Sequence, residues 1–114
     1  MKKGEDTMST RTLMVSRMRA ESAEEVARLF AEHDSTGVAA RLGVTSRTLL
    51  HYEGLTMHLI QSEAEVLDRF GELRADPSFQ KLNQALSAHM RPLVDDWHGV
   101  RDSRAHEFYH RSWV

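Results

Sequence analysis

The sequence predicts an α+β domain in which an antiparallel sheet carries its helices on one face, in the order β-α-β-β-α-α-β. Three observations lead there. Two segments rich in Thr, Leu, Ile and Tyr flank Glu53-Gly54, a hairpin turn signal. Two stretches opened by Ser-x-x-Glu, at Ser22 and Ser62, carry apolar residues at helical spacing. Strand-like segments stand near both ends of the chain, at residues 12–18 and 105–114.

The bulk properties narrow the function classes. A chain of 114 residues is one domain. With 40% hydrophobic and 28% charged residues it has globular rather than disordered composition. A net charge of −2 lacks the basic excess of a phosphate-binding surface, so no nucleic-acid partner is expected. The absence of cysteine removes disulfides, thiolate metal sites and cysteine nucleophiles together. No apolar run approaches the ~18 residues of a membrane span, and no signal peptide is visible, so the expected compartment is the cytoplasm.

Residues 1–10 are polar and aperiodic and are expected to form a disordered N-terminal extension, leaving 11–114 as the domain. In residues 12–18, Leu13 and Val15 share one strand face, and Thr12, Met14, Ser16 and Met18 the other. A capping box, Ser22 to Glu25, opens a helix whose stripe of Ala23, Val26, Ala27 and Phe30 runs on to His33. Asp34-Ser35-Thr36-Gly37 ends it. Residues 38–44 read as a connector, 45–52 and 56–61 as a hairpin. A second box at Ser62 opens a helix with Val66, Leu67, Phe70 and Leu73 on its buried face. Asp76-Pro77 starts another helix, with Asp76 as cap, and Phe79, Leu82, Leu86, Met90 and Leu93 continue its apolar face until Pro92 kinks or ends it. Residues 97–104 form a loop and 105–114 the last strand, where His106 and His110 share a face. Two βαβ-like halves joined by a hairpin give a ferredoxin-like sheet. Its bare face needs cover, for which a second copy, making a homodimer, is the expected source.

Four residues are candidates for chemistry. His33 continues the apolar stripe, where burial opposes its charge and the helix C-terminus favours it. That tension suits a general acid or base, although a satisfied structural histidine fits the pattern too. Asp34 either assists it or merely ends the helix. Arg47 shares a face with Leu49, His51 and Glu53, a mixture that reads as solvent-facing. Were it to face a cavity, its guanidinium would hold an enolate or carbonyl oxygen. His58 sits mid-strand between Met57 and Leu59, where an imidazole needs a partner. No metal is expected, because the seven histidines are scattered without ligand spacing. Asp95-Asp96 reads as a solvated pair. Phosphate loops, nucleophile elbows and dinucleotide fingerprints are missing.

Several strings stand in a characteristic order: Leu13-Met14-Val15-Ser16-Arg17-Met18, Phe30-Ala31-Glu32-His33-Asp34-Ser35-Thr36, Leu42-Gly43-Val44, Met57-His58-Leu59-Ile60, Asp76-Pro77-Ser78-Phe79-Gln80 and Glu107-Phe108-Tyr109. Together they resemble the small aromatic polyketide cyclases of bacterial type II pathways, the tetracenomycin-type and spore-pigment cyclases, from about Arg11 onward. The resemblance implies a ferredoxin-like, homodimeric, cofactor-independent enzyme of antibiotic or spore-pigment biosynthesis. Such an enzyme guides aldol condensation and dehydration of a poly-β-ketone or partly cyclised intermediate, arriving either free or on the acyl carrier protein of a type II polyketide synthase. It places the pocket residues at His33, Asp34, Arg47 and His58. Two other classes fit the same architecture, a cofactor-free monooxygenase of aromatic polyketides and a non-catalytic ligand-binding module.

Overall fold

The computed structural model describes residues 9–113. Its elements are β1 (Thr10–Met18), α1 (Ala23–Asp34), α2 (Val38–Arg41), β2 (Val44–Tyr52), β3 (Leu55–Ser62), α3 (Phe70–Arg74), α4 (Pro77–Leu86) and β4 (Met90–Pro92), with 3₁₀ turns at Ala20–Ser22, Val66–Arg69 and Val100–Ser103. The four strands form one antiparallel sheet in the order β2-β3-β1-β4. Strand β3 lies between β1 and β2, so the first βαβ unit is split, as in a ferredoxin-like α+β fold. Of the expected extension at residues 1–10, the first eight lie outside the described residues, and Thr10 already pairs with Ser62.

The hairpin is specified locally. Glu53 and Gly54 both have positive φ, 46° and 79°, as a two-residue turn matched to strand twist demands. Gly54 adopts that conformation without steric cost. From this turn the register runs Tyr52↔Leu55, Leu50↔Met57 and Arg47↔Ile60. It slips by one residue between Val44 and Ser46, where Thr45 is the extra residue of a β-bulge.

One sheet face packs against α1 and α4. Met18, Val26, Phe30 and Leu82 are buried at its centre, with Leu29, Leu49, Phe79, Leu86 and Met90 around them. The α1 stripe of Val26, Phe30 and His33 is buried as its spacing requires. Asp76 caps α4 by accepting from the Phe79 amide at 2.9 Å, and Pro77 stands at the first helical position, where its missing N–H costs nothing.

Several expected details differ. Residues 105–113 form no strand. The fourth strand is Met90–Pro92, paired with Ser16–Met18, and α4 stops at Leu86 instead of running on to Leu93. A backbone turn at Ser87–His89, with His89 N bonded to Leu86 O, redirects the chain, and Pro92 sits on an edge strand, where a missing donor is tolerated. His106 and His110 therefore share no strand face. The tail is held by Ala105 N to Leu13 O at 2.7 Å and by the Arg11–Glu107 ion pair. Neither capping box forms. The Ser22 hydroxyl pairs with His89 Nδ1 instead, and Ser62 closes β3 with its hydroxyl donating to Ala64 O. The cap of the following 3₁₀ turn is Glu65, which accepts from Leu67 N. The connector at 38–44 contains the one-turn helix α2.

Among the described residues, the other sheet face carries no helix. Register places Leu13 and Leu59 on it, then Val15, Met57 and Leu50, then Leu55 and Tyr52. Leu50 and Tyr52 are exposed, Tyr52 at 68%. Phe108, Tyr109 and Trp113 of the tail are exposed as well.

Candidate active site

The helix-covered face of the sheet places polar groups in rows. Leu49, His58 and Met14 form one row by cross-strand pairing, and Arg47 and Ile60 lie in the next. Above them, α1 brings down Phe30 and His33, which are spaced nearly one turn apart and so face the same way. The space between sheet and helices is a cavity of about 750 Å³. Met14, Ile60, Leu67, Phe70, Phe79 and Leu82 supply much of its apolar wall, and His33, Arg47 and His58 much of its polar one. A largely apolar cavity with a few placed polar groups is the usual form of a small-molecule site.

Arg47 links the polar side chains. Its Nε and Nη2 donate to the Asp34 carboxylate at 3.0 and 2.7 Å, a bidentate pair, and Nη1 donates to His58 Nε2 at 2.9 Å. The guanidinium lies over the Phe30 ring at 4.8 Å, and His58 meets the same ring edge-on at 5.1 Å. Arginine only donates, so His58 Nε2 must accept and the ring proton resides on Nδ1. Burial first and the Arg47 charge second push His58 down to about 3, outweighing Asp34. His58 is thus a neutral imidazole with one N–H to offer. Among the described residues, three of the five guanidinium N–H bonds are used, which leaves one on each terminal nitrogen of Arg47.

His33 is buried and differently held. Its Nδ1 lies 3.4 Å from Ser78 Oγ, and the Phe79 ring stands edge-on at 6.1 Å. Burial, then Arg47, lower its pKa, while Asp34, Asp76 and the Ser78 backbone act in the opposite direction. Burial and Arg47 thus outweigh the two carboxylates and the Ser78 backbone, which favour the charged ring.

Three of the four candidates, His33, Arg47 and His58, line one cavity, and the exposed Asp34 lies outside its lining, joined to it through Arg47. The solvent-facing reading of the Arg47 strand face is corrected. Arg47 has a side chain only 14% exposed, Leu49 packs on the core, and His51 bonds to the Met18 carbonyl at 2.8 Å. The outward residues of β2 are Thr48, Leu50 and Tyr52. Asp34 is bound to Arg47, so it orients the guanidinium directly. Sequence reasoning missed Ser78 as the neighbour of His33. It also missed the Trp97–Ser103 segment, which lines the cavity and is held by Trp97 Nε1 donating to Ser103 Oγ at 2.7 Å and Arg101 donating to Leu67 O at 3.2 Å. Asp95 and Asp96 are exposed, and Asp96 bonds to His98. Among the described residues, no group of three or more His, Asp or Glu side chains is arranged to hold a metal.

A family model described as polyketide synthesis cyclase matches residues 10–113. The chain belongs to that family. It is 40% identical over 107 residues to tetracenomycin F2 cyclase of Streptomyces glaucescens, covering 94% of this chain and 96% of that one. It is 29% identical over 99 residues to polyketide synthase CurG of Streptomyces cyaneus, covering 86% and 92%. The solved structure of the S. glaucescens enzyme, described as a type-II polyketide cyclase, superposes with a TM-score of 0.85 at 38% identity over 90% of this chain and 97% of that one. A conserved protein of Methanosarcina mazei, 13% identical with a TM-score of 0.57 over 76% of this chain and 86% of that one, shares the fold alone. Among the described residues, no helix of this family member is long and apolar enough to cross a membrane.

Proposed function

We propose that the chain closes a ring of an aromatic poly-β-ketone by intramolecular aldol condensation and dehydration, without a cofactor, as a cytoplasmic homodimer serving a type II polyketide synthase. The observation that supports this most is the pair of histidines with opposite hydrogen-bonding roles on one apolar cavity. His58 offers Nδ1–H and holds no exchangeable charge near neutral pH. It is suited to donate to a ketone oxygen and to the alkoxide that develops there. His33, with Nδ1 turned to Ser78, keeps the Nε2 lone pair for a proton.

The steps balance without an outside reagent. A methylene flanked by two ketones gives its proton to His33 Nε2. The resulting enolate carbon attacks a second ketone carbon, forming the C–C bond, while His58 Nδ1–H and the remaining Arg47 N–H bonds receive the new alkoxide. The His33 imidazolium returns its proton to that oxygen. His33 then removes the second proton from the same carbon and gives it to the departing hydroxide, so one water is lost. One base serves both stages, and proton transfer by a placed side chain contributes roughly 10²–10⁴-fold. The apolar wall folds the flexible chain into a reactive conformer, which supplies much of the rest.

The test is reconstitution of a minimal polyketide synthase and its carrier protein with and without this protein, with product masses, oxygen uptake and a chelator control. The proposal expects a regiospecific product one water lighter than its precursor, no oxygen consumption and no loss on chelation. Gain of an oxygen atom with oxygen uptake would make the protein a monooxygenase, and an unchanged product pattern with retained polyketide would make it a binding module.

A further inference from the structure

We propose that Ser78 and Asp76 form a positioning pair that fixes the tautomer and orientation of His33. The inference rests on the reading of His33 as the base, and names the groups that prepare it.

The geometry runs from carboxylate to hydroxyl to imidazole. Asp76 precedes α4, and its Oδ2 accepts from the Phe79 amide at 2.9 Å and from the Ser78 hydroxyl. The Ser78 hydrogen is committed to that carboxylate. Toward His33 Nδ1, 3.4 Å away, Ser78 Oγ therefore presents a lone pair. A ring nitrogen facing a lone pair must carry the proton, so His33 is held as the Nδ1–H tautomer with Nε2 unprotonated. The Phe79 ring limits rotation of the imidazole from the side. One helix start thus supplies acceptor, carboxylate and packing from the run Asp76-Pro77-Ser78-Phe79. Pro77 needs no partner there, since it has no N–H.

The arrangement also serves the charged state. When His33 takes a proton, the positive ring faces Asp76 through Ser78 and Asp34 on its own helix. Arg47 on β2 opposes it, His58 on β3 is neutral, and Arg74 at the end of α3 lines the same cavity. Asp76 is kept ionised by the Ser78 hydroxyl and the α4 amides. A carboxylate placed behind a hydroxyl stabilises the imidazolium without competing for the substrate proton, because its hydrogen bonding reaches the ring only by way of Ser78.

The test uses the full-length protein with ¹⁵N-labelled histidine. Ring-nitrogen shifts report the tautomer directly, and a titration reports protonation. For the wild type, His33 is expected as Nδ1–H at neutral pH. In Ser78→Ala the tautomers should mix, and kcat should fall roughly 10–100-fold with little change in KM, as expected when a reacting group loses its alignment. Ser78→Thr, which keeps the hydroxyl, should restore both. Asp76→Asn retains a capping oxygen for Phe79 but removes the charge, so the His33 titration should move to lower pH. A pure Nδ1–H tautomer with an unmoved titration in both Ser78→Ala and Asp76→Asn overturns the proposal. A tautomer shift with unchanged cyclisation upholds the positioning pair and instead overturns His33 as the base.

Discussion

Acid should destabilise this fold well above the range in which its carboxylates protonate, and His58 is the reason. In the unfolded chain a histidine takes its proton near 6.5, whereas folded His58 stays neutral to about 3. As pH falls, the unfolded state therefore binds a proton that the folded state refuses, and stability drops. Between about pH 7.5 and pH 5 the loss from this one residue is ~2 kcal/mol, rising to ~5 kcal/mol below pH 3. The pKa of His33 is lowered as well, chiefly by burial, and adds to the loss in the same direction. Against a total stability of ~5–15 kcal/mol for a domain, that is a large share. The assay is urea unfolding by circular dichroism at both pH values and one protein concentration, checking that m is unchanged. The comparison is His58→Gln, whose side-chain oxygen still accepts from Arg47 but does not titrate. Its pH 7.5-to-5 loss should be smaller than wild type by ~2 kcal/mol. An equal loss in the two proteins would refute the assignment of a buried, neutral His58.

His33→Ala should fold and lose roughly 10²–10⁴ in turnover, scored on regioselectivity as well as rate because reactive polyketones also cyclise unaided. Arg47→Lys should lower turnover with little change in thermal midpoint, since one ammonium cannot hold Asp34 bidentately and reach His58 at once; unchanged kinetics would show that the linkage is dispensable. Phe30→Ala should cost ~3–5 kcal/mol by denaturant titration, because the ring is buried in the core and also seats Arg47 and His58. Light scattering at micromolar concentration should give a dimer mass for the wild type and a monomer mass for Met57→Glu, which charges the bare sheet face; a wild-type monomer would remove the dimer from the proposal.

Much of this architecture is legible in the sequence, for reasons that differ by element. The hairpin was readable because Glu53-Gly54 encodes its turn within two residues. The α4 start was readable because Asp76-Pro77 encodes a cap. The His33 position followed from helical spacing, which carries the Phe30 stripe forward. What failed was decided at long range. Ser22 is a plausible cap by local rules, but His89, distant in sequence, claims its hydroxyl. Residues 105–113 have strand-like composition, yet Ser16–Met18 pair with Met90–Pro92 instead. The Arg47 face looked solvent-directed because an arginine and a histidine share it with only one leucine. Its burial depends on Asp34, His58 and Phe30 converging from other elements to satisfy the charge. Ser78 could not be linked to His33 without the packing of α1 on α4.

Counting along β2, Val44 and Arg47 are an odd number of residues apart, so in a regular strand they would face opposite ways. Both line the cavity. The extra residue Thr45 makes this so, since Val44 pairs with Ser62 while Arg47 pairs with Ile60. The segment from Arg47 to Tyr52 is locked by the hairpin, whereas Val44 takes its aim from the bulge. Removing a single residue there would turn Val44 away from the cavity and leave the Arg47–His58 contact, whose two strands the hairpin registers, where it is. Chain length at one point thus decides which way a wall residue faces, a property of the chamber that no side-chain substitution at Arg47 or His58 would reach.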